Sequence, residues 1–134
     1  MRNFILTFGA IGGAAAAELL GGWDSALQTL IIFMAVDYLS GVACAAFFKC
    51  SSKSENGGLS SKSGFKGLAK KGMQLAIVLI AHRLDVMTGG DIVRTAVIIG
   101  FTANECISII ENACLMGVPI PAKLRQAVDL IAVK

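Results

Sequence analysis

The chain has 134 residues, of which 55% are hydrophobic and 16% are charged, and its mean hydropathy is +0.72. Soluble globular proteins average about 45–50% apolar and about 25% charged residues, so this composition argues against an ordinary soluble domain. The length fits one domain. We therefore expect a single membrane domain over residues 1–134.

Four apolar stretches follow one another along the chain, at residues 4–20, 26–48, 72–87 and 92–116. A helix rises about 1.5 Å per residue, so a bilayer core of about 30 Å needs about 20 residues. The second and fourth stretches meet this length, the first is marginal and the third is short. These stretches predict an all-α integral membrane protein, a bundle of three to four transmembrane helices plus a short amphipathic C-terminal helix.

The first stretch allows more than one interpretation. It is weakly hydrophobic and contains Glu18, so it either crosses the bilayer or lies along its surface. Arg2 and the small residues before Glu18 also resemble a signal peptide, but we expect the segment to be retained.

Positive charge is concentrated between the second and third stretches. Residues 49–71 contain six lysines and one glutamate, a net of +5, while the whole chain carries only +3. Short basic loops remain in the cytoplasm, so this loop and the tail at 117–134 are predicted to be cytoplasmic. Binding to anionic headgroups is an alternative role for the lysines. These are Lys49, Lys53, Lys62, Lys66, Lys70 and Lys71.

Small residues recur four positions apart, as Gly9 with Gly13 and Gly41 with Ala45. Such pairs let helix backbones approach closely in lipid, where packing drives association. They indicate helix-packing positions and favour a homo-oligomer in the lipid bilayer.

Polar residues within the apolar stretches are the candidate functional groups. A charge at the bilayer centre costs at least about 2.5–3.5 kcal/mol, so these side chains must face protein or water. They form either an interhelical hydrogen-bond network or a stripe that lines water in a pore. Asp37 is expected to pair with Arg94 or Arg83, or to join a hydrated interior. The stripe comprises Asp37, Asp85, Arg94, Asn104, Glu105, Ser108, Glu111 and Asn112.

Catalytic signatures are missing from the sequence. It contains no nucleophile elbow and no phosphate-binding glycine loop before a helix. The four cysteines lack metal-type spacing, and one histidine cannot complete a zinc site with them. We predict no enzyme activity, no cofactor, no metal and no nucleic-acid partner.

Three motifs in order closely resemble the phage-lysis and toxin-secretion holins of phages and clostridial toxin loci: "FMAVDYLSGVACAAFFK", "LSSKSGFKGLAKKG" and "NECISIIENACLMGVPIP". The resemblance covers about residues 23–125 and leaves the first 22 residues outside. It implies a multi-pass protein of the bacterial cytoplasmic membrane that assembles and opens large lesions. An endolysin or a secreted toxin would then cross the membrane.

Two alternatives stay open from the sequence. One is a small proton-coupled multidrug transporter, which would use Glu18 as its acid, and the other is an antiholin or purely structural membrane partner. Proton-driven drug efflux would favour the transporter, whereas killing on expression without any substrate would favour the holin.

Overall fold

The computed structural model describes residues 1–49 and 56–132, and these residues form five α-helices and one short π-helical turn. No strand occurs within these two ranges, which confirms the predicted all-α class. The C-terminal helix is also present. The elements are α1 (Arg2–Leu19), α2 (Ser25–Ala43), the π-helical turn (Cys44–Phe48), α3 (Ser61–Thr88), α4 (Ile92–Leu115) and α5 (Ala122–Ala132).

Local capping explains where the helices begin and end. The carboxylate of Asp24 accepts a hydrogen bond of 2.9 Å from the backbone N–H of Leu27 at the start of α2. Ser60 similarly accepts one of 3.3 Å from Ser63 at the start of α3. These side chains satisfy N–H groups that have no partner inside the helix. Gly89, with φ of 74°, ends α3 in the left-handed conformation that favours glycine.

Helix α3 corrects the predicted boundary between the basic loop and the third apolar stretch. The stretch was placed at residues 72–87, but the helix has 28 residues and starts at Ser61. Its first turns hold lysines, which lower hydropathy without opposing helix formation. Residues 61–71 of the predicted loop are therefore helical.

The core lies between α2, α3 and α4. Its buried apolar side chains are Leu27, Leu30 and Met34 of α2, Val78 of α3 and Ile98 of α4. Helix α4 packs against α2, α3 and α5 and so occupies the centre of the bundle. Val128 of α5 is buried, so part of the predicted tail at 117–134 folds back against the bundle.

Two helical segments are long and apolar enough to cross a membrane, Ser25–Phe48 and Ile92–Leu115, each with 24 residues. Only 28% and 22% of their most apolar parts are buried inside the chain. The core helix of a soluble protein would be mostly buried, so their outer faces fit a lipid environment. Helix α1 buries none of its residues and leaves Phe4 and Phe8 about 70% exposed.

The connection between α1 and α2 packs tightly against α4. Gly21 has a φ of +98°, and a Cβ built there would collide with the side chain of Arg94 and lie 2.9 Å from Nδ1 of His82. Gly22 has a φ of +107°, but a Cβ there would meet no atom within 4 Å. A side chain at either position would therefore strain the backbone, but only a side chain at Gly21 would also be crowded.

This difference makes a matched pair of variants. Both Gly21→Ala and Gly22→Ala place a side chain at positive φ, which costs about 1–3 kcal/mol. We expect Gly21→Ala to lower the thermal midpoint further, because it also displaces Arg94. Circular dichroism melts in detergent measure the difference, and equal midpoints for the two variants would contradict the packing described here.

Candidate functional site

A buried ionic contact joins the three core helices. Nζ of Lys71 on α3 donates hydrogen bonds to Oδ2 of Asp37 on α2, at 2.7 Å, and to Oε2 of Glu105 on α4, at 2.8 Å. The side chains of the two acids are only 7% and 4% exposed. One ammonium group thus bridges two carboxylates at the middle of the bundle.

Neutral polar groups complete this contact. Oγ of Ser108 donates to Oδ1 of Asp37 at 2.5 Å, and Nδ2 of Asn112 lies 3.3 Å from the same oxygen. Nδ2 of Asn112 also donates to Oγ of Ser40 at 2.9 Å. We refer to these residues as the central cluster: Asp37, Ser40, Lys71, Glu105, Ser108 and Asn112.

The charges of the central cluster do not cancel. Two carboxylates and one ammonium give a formal charge of −1 when all three are ionised. Burying a charge is costly unless it is paired and hydrogen-bonded. Asp37 accepts hydrogen bonds from three different side chains, and these bonds offset the cost of its burial.

A second polar group, the Arg94 cluster, lies at the end of the bundle where α2 and α4 begin. The guanidinium of Arg94 donates to Oδ2 of Asp24 at 2.7 Å and to the carbonyls of Leu20, at 2.6 Å, and Gly22, at 3.1 Å. The carboxylate of Asp85 accepts from the backbone N–H groups of Val93, at 3.0 Å, and Arg94, at 2.9 Å. The hydrogen bonds of the Arg94 cluster thus connect the first turn of α4 to the α1–α2 connection and to the end of α3.

The electrostatics of Asp24 follow from this contact. The hydrogen bond from Arg94 lowers the pKa of Asp24 below its usual value, although partial burial opposes the shift. The ion pair therefore stabilises the fold at neutral pH, and this contribution is lost as the pH falls through the lowered pKa.

The structure divides the predicted polar stripe into three groups. Asp37, Glu105, Ser108 and Asn112 meet in the central cluster, whereas Asp85 and Arg94 belong to the Arg94 cluster. Asn104 and Glu111 are exposed on α4. The expected pairing of Asp37 with Arg94 or Arg83 is wrong, because Asp37 pairs with Lys71 while Arg94 binds Asp24.

Lys71 is the residue that sequence reasoning missed, because it was assigned to the basic loop. The spacing between Lys71 and the residues that follow it nevertheless indicates that Lys71 lies on the inner face of a helix. Lys71, Gln74, Val78, Ala81 and Asp85 follow one another at intervals of three and four residues, which places them on one helix face. On that face, Val78, Ala81 and Asp85 are buried.

The other predicted positions have varied surroundings. Gly41 is half-buried and Ala45 is buried, and both lie inside the chain beside the central cluster. A Cβ at Gly9 or Gly13 would meet no atom within 4 Å. Lys53 lies outside the described residues. The exposed lysines of the basic segment are Lys49, Lys62, Lys66 and Lys70.

These features define a class of protein, a small helical membrane protein whose polar residues are paired between helices. The sequence model of the Bacteriophage holin family matches residues 14–132. The chain belongs to this family.

The curated relatives agree with this family. An uncharacterised protein of Listeria monocytogenes is 39% identical over 132 residues, covering 97% of this chain and 89% of that protein. An uncharacterised 14.9 kDa protein from the nagH 3′ region of Clostridium perfringens is 41% identical, covering 95% and 94%. A protein named as a probable holin of Bacillus phage phi105 is 28% identical, covering 87% and 81%. No solved structure matches the chain significantly.

Removing the shared cation tests the central cluster. We expect Lys71→Met to destabilise the fold by about 3–5 kcal/mol, because it leaves two buried carboxylates without a counter-charge. The matched control is Lys70→Met, which removes an exposed charge from the neighbouring position. Thermal unfolding in detergent gives the comparison. Adding Glu105→Gln to Lys71→Met should restore part of the loss, and a Lys71→Met variant as stable as its control would refute the assignment.

Proposed function

We propose that this protein is a holin that accumulates in the bacterial cytoplasmic membrane, assembles with copies of itself and opens large lesions. An endolysin or a secreted toxin would leave the cell through these lesions. Membership of the holin family supports this proposal, as does the similarity to the probable holin of phage phi105. The protein would act by assembly and would need no cofactor and no catalytic residue.

The charge distribution supports a particular orientation in the membrane. The exposed lysines Lys62, Lys66 and Lys70 occupy the first turns of α3, and Lys49 directly follows the π-helical turn after α2. We place this end of the bundle in the cytoplasm, since basic segments resist translocation. The Arg94 cluster then lies at the outer surface, and α2, α3 and α4 cross the membrane. Helix α1 would form a fourth crossing or lie at the surface, and the C-terminus would be cytoplasmic.

The observation that carries the mechanism is the closed central cluster. Its carboxylates, ammonium, hydroxyls and amide are bonded to one another within a single chain. In a closed form these groups need no water, so the chain can accumulate without leaking ions. Lesion opening would exchange these contacts for water, and two such packings can differ by only a few kcal/mol.

The outer faces supply surfaces for assembly. Helix α1 buries no residue within its own chain, and nothing described in the structure covers Gly9 or Gly13. Their spacing allows close approach of another helix in lipid. We therefore expect α1 to contribute to contacts between copies.

The transporter alternative receives less support from the site. Glu18, the acid on which it rests, is exposed on α1. The buried acids lie instead in α2, α3 and α4, where Asp37 and Glu105 share Lys71 and Asp85 caps the first turn of α4.

Inducible expression in bacteria tests the proposal directly. Membrane potential and release of a folded cytoplasmic enzyme are followed together after induction. A holin of this type produces an abrupt loss of both. Growth that continues with full potential at high protein levels would contradict the proposal and favour an antiholin or a structural partner.

The charge of Glu105 is expected to set the timing of lysis. Glu105→Gln keeps the size and hydrogen-bonding capacity of the side chain but removes one of the two buried negative charges. The closed packing then holds a neutral Asp37–Lys71 pair, so opening gains less from hydration and lysis should be delayed. Glu111→Gln removes an exposed charge from the same helix and serves as the control. Lysis curves at matched protein levels decide the matter, and identical timing of all three proteins would remove the central cluster from the opening step.

The small-residue pair of α1 is tested by crosslinking. We expect Gly9→Leu with Gly13→Leu to reduce the yield of higher oligomers in membranes, because large side chains separate the backbones. The control variant, Ala10→Leu with Ala14→Leu, also introduces two leucines four residues apart, on an adjoining face of α1 where both positions are exposed. A crosslinking ladder unchanged by the glycine variants, relative to these controls, would mean that Gly9 and Gly13 face lipid.

A further inference from the structure

A cavity of about 410 Å³ lies between α2, α3 and α4, beside the central cluster. This volume falls within the range of about 300–1,000 Å³ that is typical of ligand sites. Small residues leave the space open, since Gly41, Gly64 and Gly67 all line it. A Cβ at Gly64 would lie 3.2 Å from Oη of Tyr38, so larger residues would narrow the cavity.

The lining of the cavity has an excess of positive charge. Lys66, Lys70 and Lys71 line it together with Asp37 and Glu105, a formal charge of +1. Lys71 is engaged by both carboxylates. Within residues 1–49 and 56–132, neither Lys66 nor Lys70 forms an ion pair, so two ammonium groups are left for an anion.

The cavity is also lined by apolar side chains and by one side-chain amide. Tyr38, Val42 and Leu59 supply apolar surface. Gln74 also lines the cavity, and its Oε1 is buried without a hydrogen-bond partner in the described part of the chain. A buried acceptor left without a donor destabilises the fold. Because Oε1 is itself fully buried, the Gln74 amide would rotate toward the cavity to accept a hydrogen bond from an occupant, and this bond would satisfy the acceptor.

We propose that this cavity binds an anionic phospholipid whose headgroup carries a hydroxyl. Lys66 and Lys70 hold the phosphate, Oε1 of Gln74 accepts a hydrogen bond from the headgroup hydroxyl, and the apolar lining contacts the glycerol backbone and the start of the acyl chains. A phospholipid combines an anion, a hydroxyl donor and an apolar portion, whereas free phosphate offers no apolar portion.

The proposal rests on the membrane placement proposed above, which puts the first turns of α3 at the cytoplasmic surface. Each lysine near the membrane surface strengthens binding to anionic lipids by about 1 kcal/mol, which corresponds to about fivefold in affinity. This attraction would occur at any basic surface beside the membrane, with or without a cavity. The test must therefore separate a site from general surface charge.

The experiment uses the full chain, delipidated in a neutral detergent and titrated with phosphatidylglycerol, with bound lipid counted by native mass spectrometry. Lys66→Gln with Lys70→Gln removes both ammonium groups from the cavity. Lys62→Gln with Lys123→Gln removes two exposed charges that do not line it, so both variants lose the same net charge. We expect the cavity variant to bind at least about tenfold more weakly than the control variant.

Two further arms address the chemistry of the headgroup. Phosphatidylmethanol carries the same charge without a hydroxyl, and the native chain should bind it about threefold to tenfold more weakly than phosphatidylglycerol. Gln74→Met should abolish this preference. Phosphatidylcholine and inorganic phosphate should bind poorly.

Several outcomes would overturn the lipid site. These are equal losses in the two lysine variants, no preference between the two anionic lipids, or inorganic phosphate competing as well as the lipid. Because binding is measured without lysis, its failure leaves the holin proposal standing. A chain that binds lipid but does not lyse cells would contradict the holin proposal alone.

Discussion

The requirement that buried charges stay paired governs the arrangement of this protein. Lys71 reaches Asp37 and Glu105 at 2.7 and 2.8 Å, and each of the three residues comes from a different helix. A slide of any one helix by a turn, about 5.4 Å, would break at least one contact and leave a carboxylate or the ammonium alone in an apolar environment. The central cluster therefore fixes the positions of α2, α3 and α4 relative to one another along the helix axes.

The Arg94 cluster applies a different constraint at the end of the bundle where α2 and α4 begin. Arg94 binds the carbonyls of Leu20 and Gly22, and Asp85 binds the backbone of α4. Apolar contacts among Leu30, Val78 and Ile98 help to fill the bundle. Helix α1 is the least restrained helix of the bundle. It buries no residue of its own, and the contacts of Arg94 are made with Leu20 and Gly22, just after the helix ends. The proposed role in assembly would have α1 change neighbours while both clusters stay intact.

Sequence reasoning succeeded where hydropathy and helix geometry determine the outcome. The apolar stretches at 26–48 and 92–116 correspond closely to Ser25–Phe48 and Ile92–Leu115. The cost of burying charge drew attention to Asp37 and Glu105, which are buried, but equally to Glu111, which is exposed. The partner of these acids was not predicted. A lysine next to a basic loop lowers hydropathy whether it faces water or carboxylates, and only the three-dimensional packing of α3 against α2 and α4 distinguishes the two situations.

The proposed function requires the protein to hold one packing and later leave it, and the composition of the central cluster is compatible with this requirement. A neutral pair of one acid and one base would favour the closed form strongly, because both charges would be satisfied there. Two acids around one base leave an excess negative charge, which water would stabilise better than the protein interior. Hydrogen bonds from Ser108 and Asn112 to Asp37 offset part of that difference. In the proposed mechanism, these short contacts would hold the closed form with only a small advantage over hydration, and a modest change in the contacts between copies would reverse the balance.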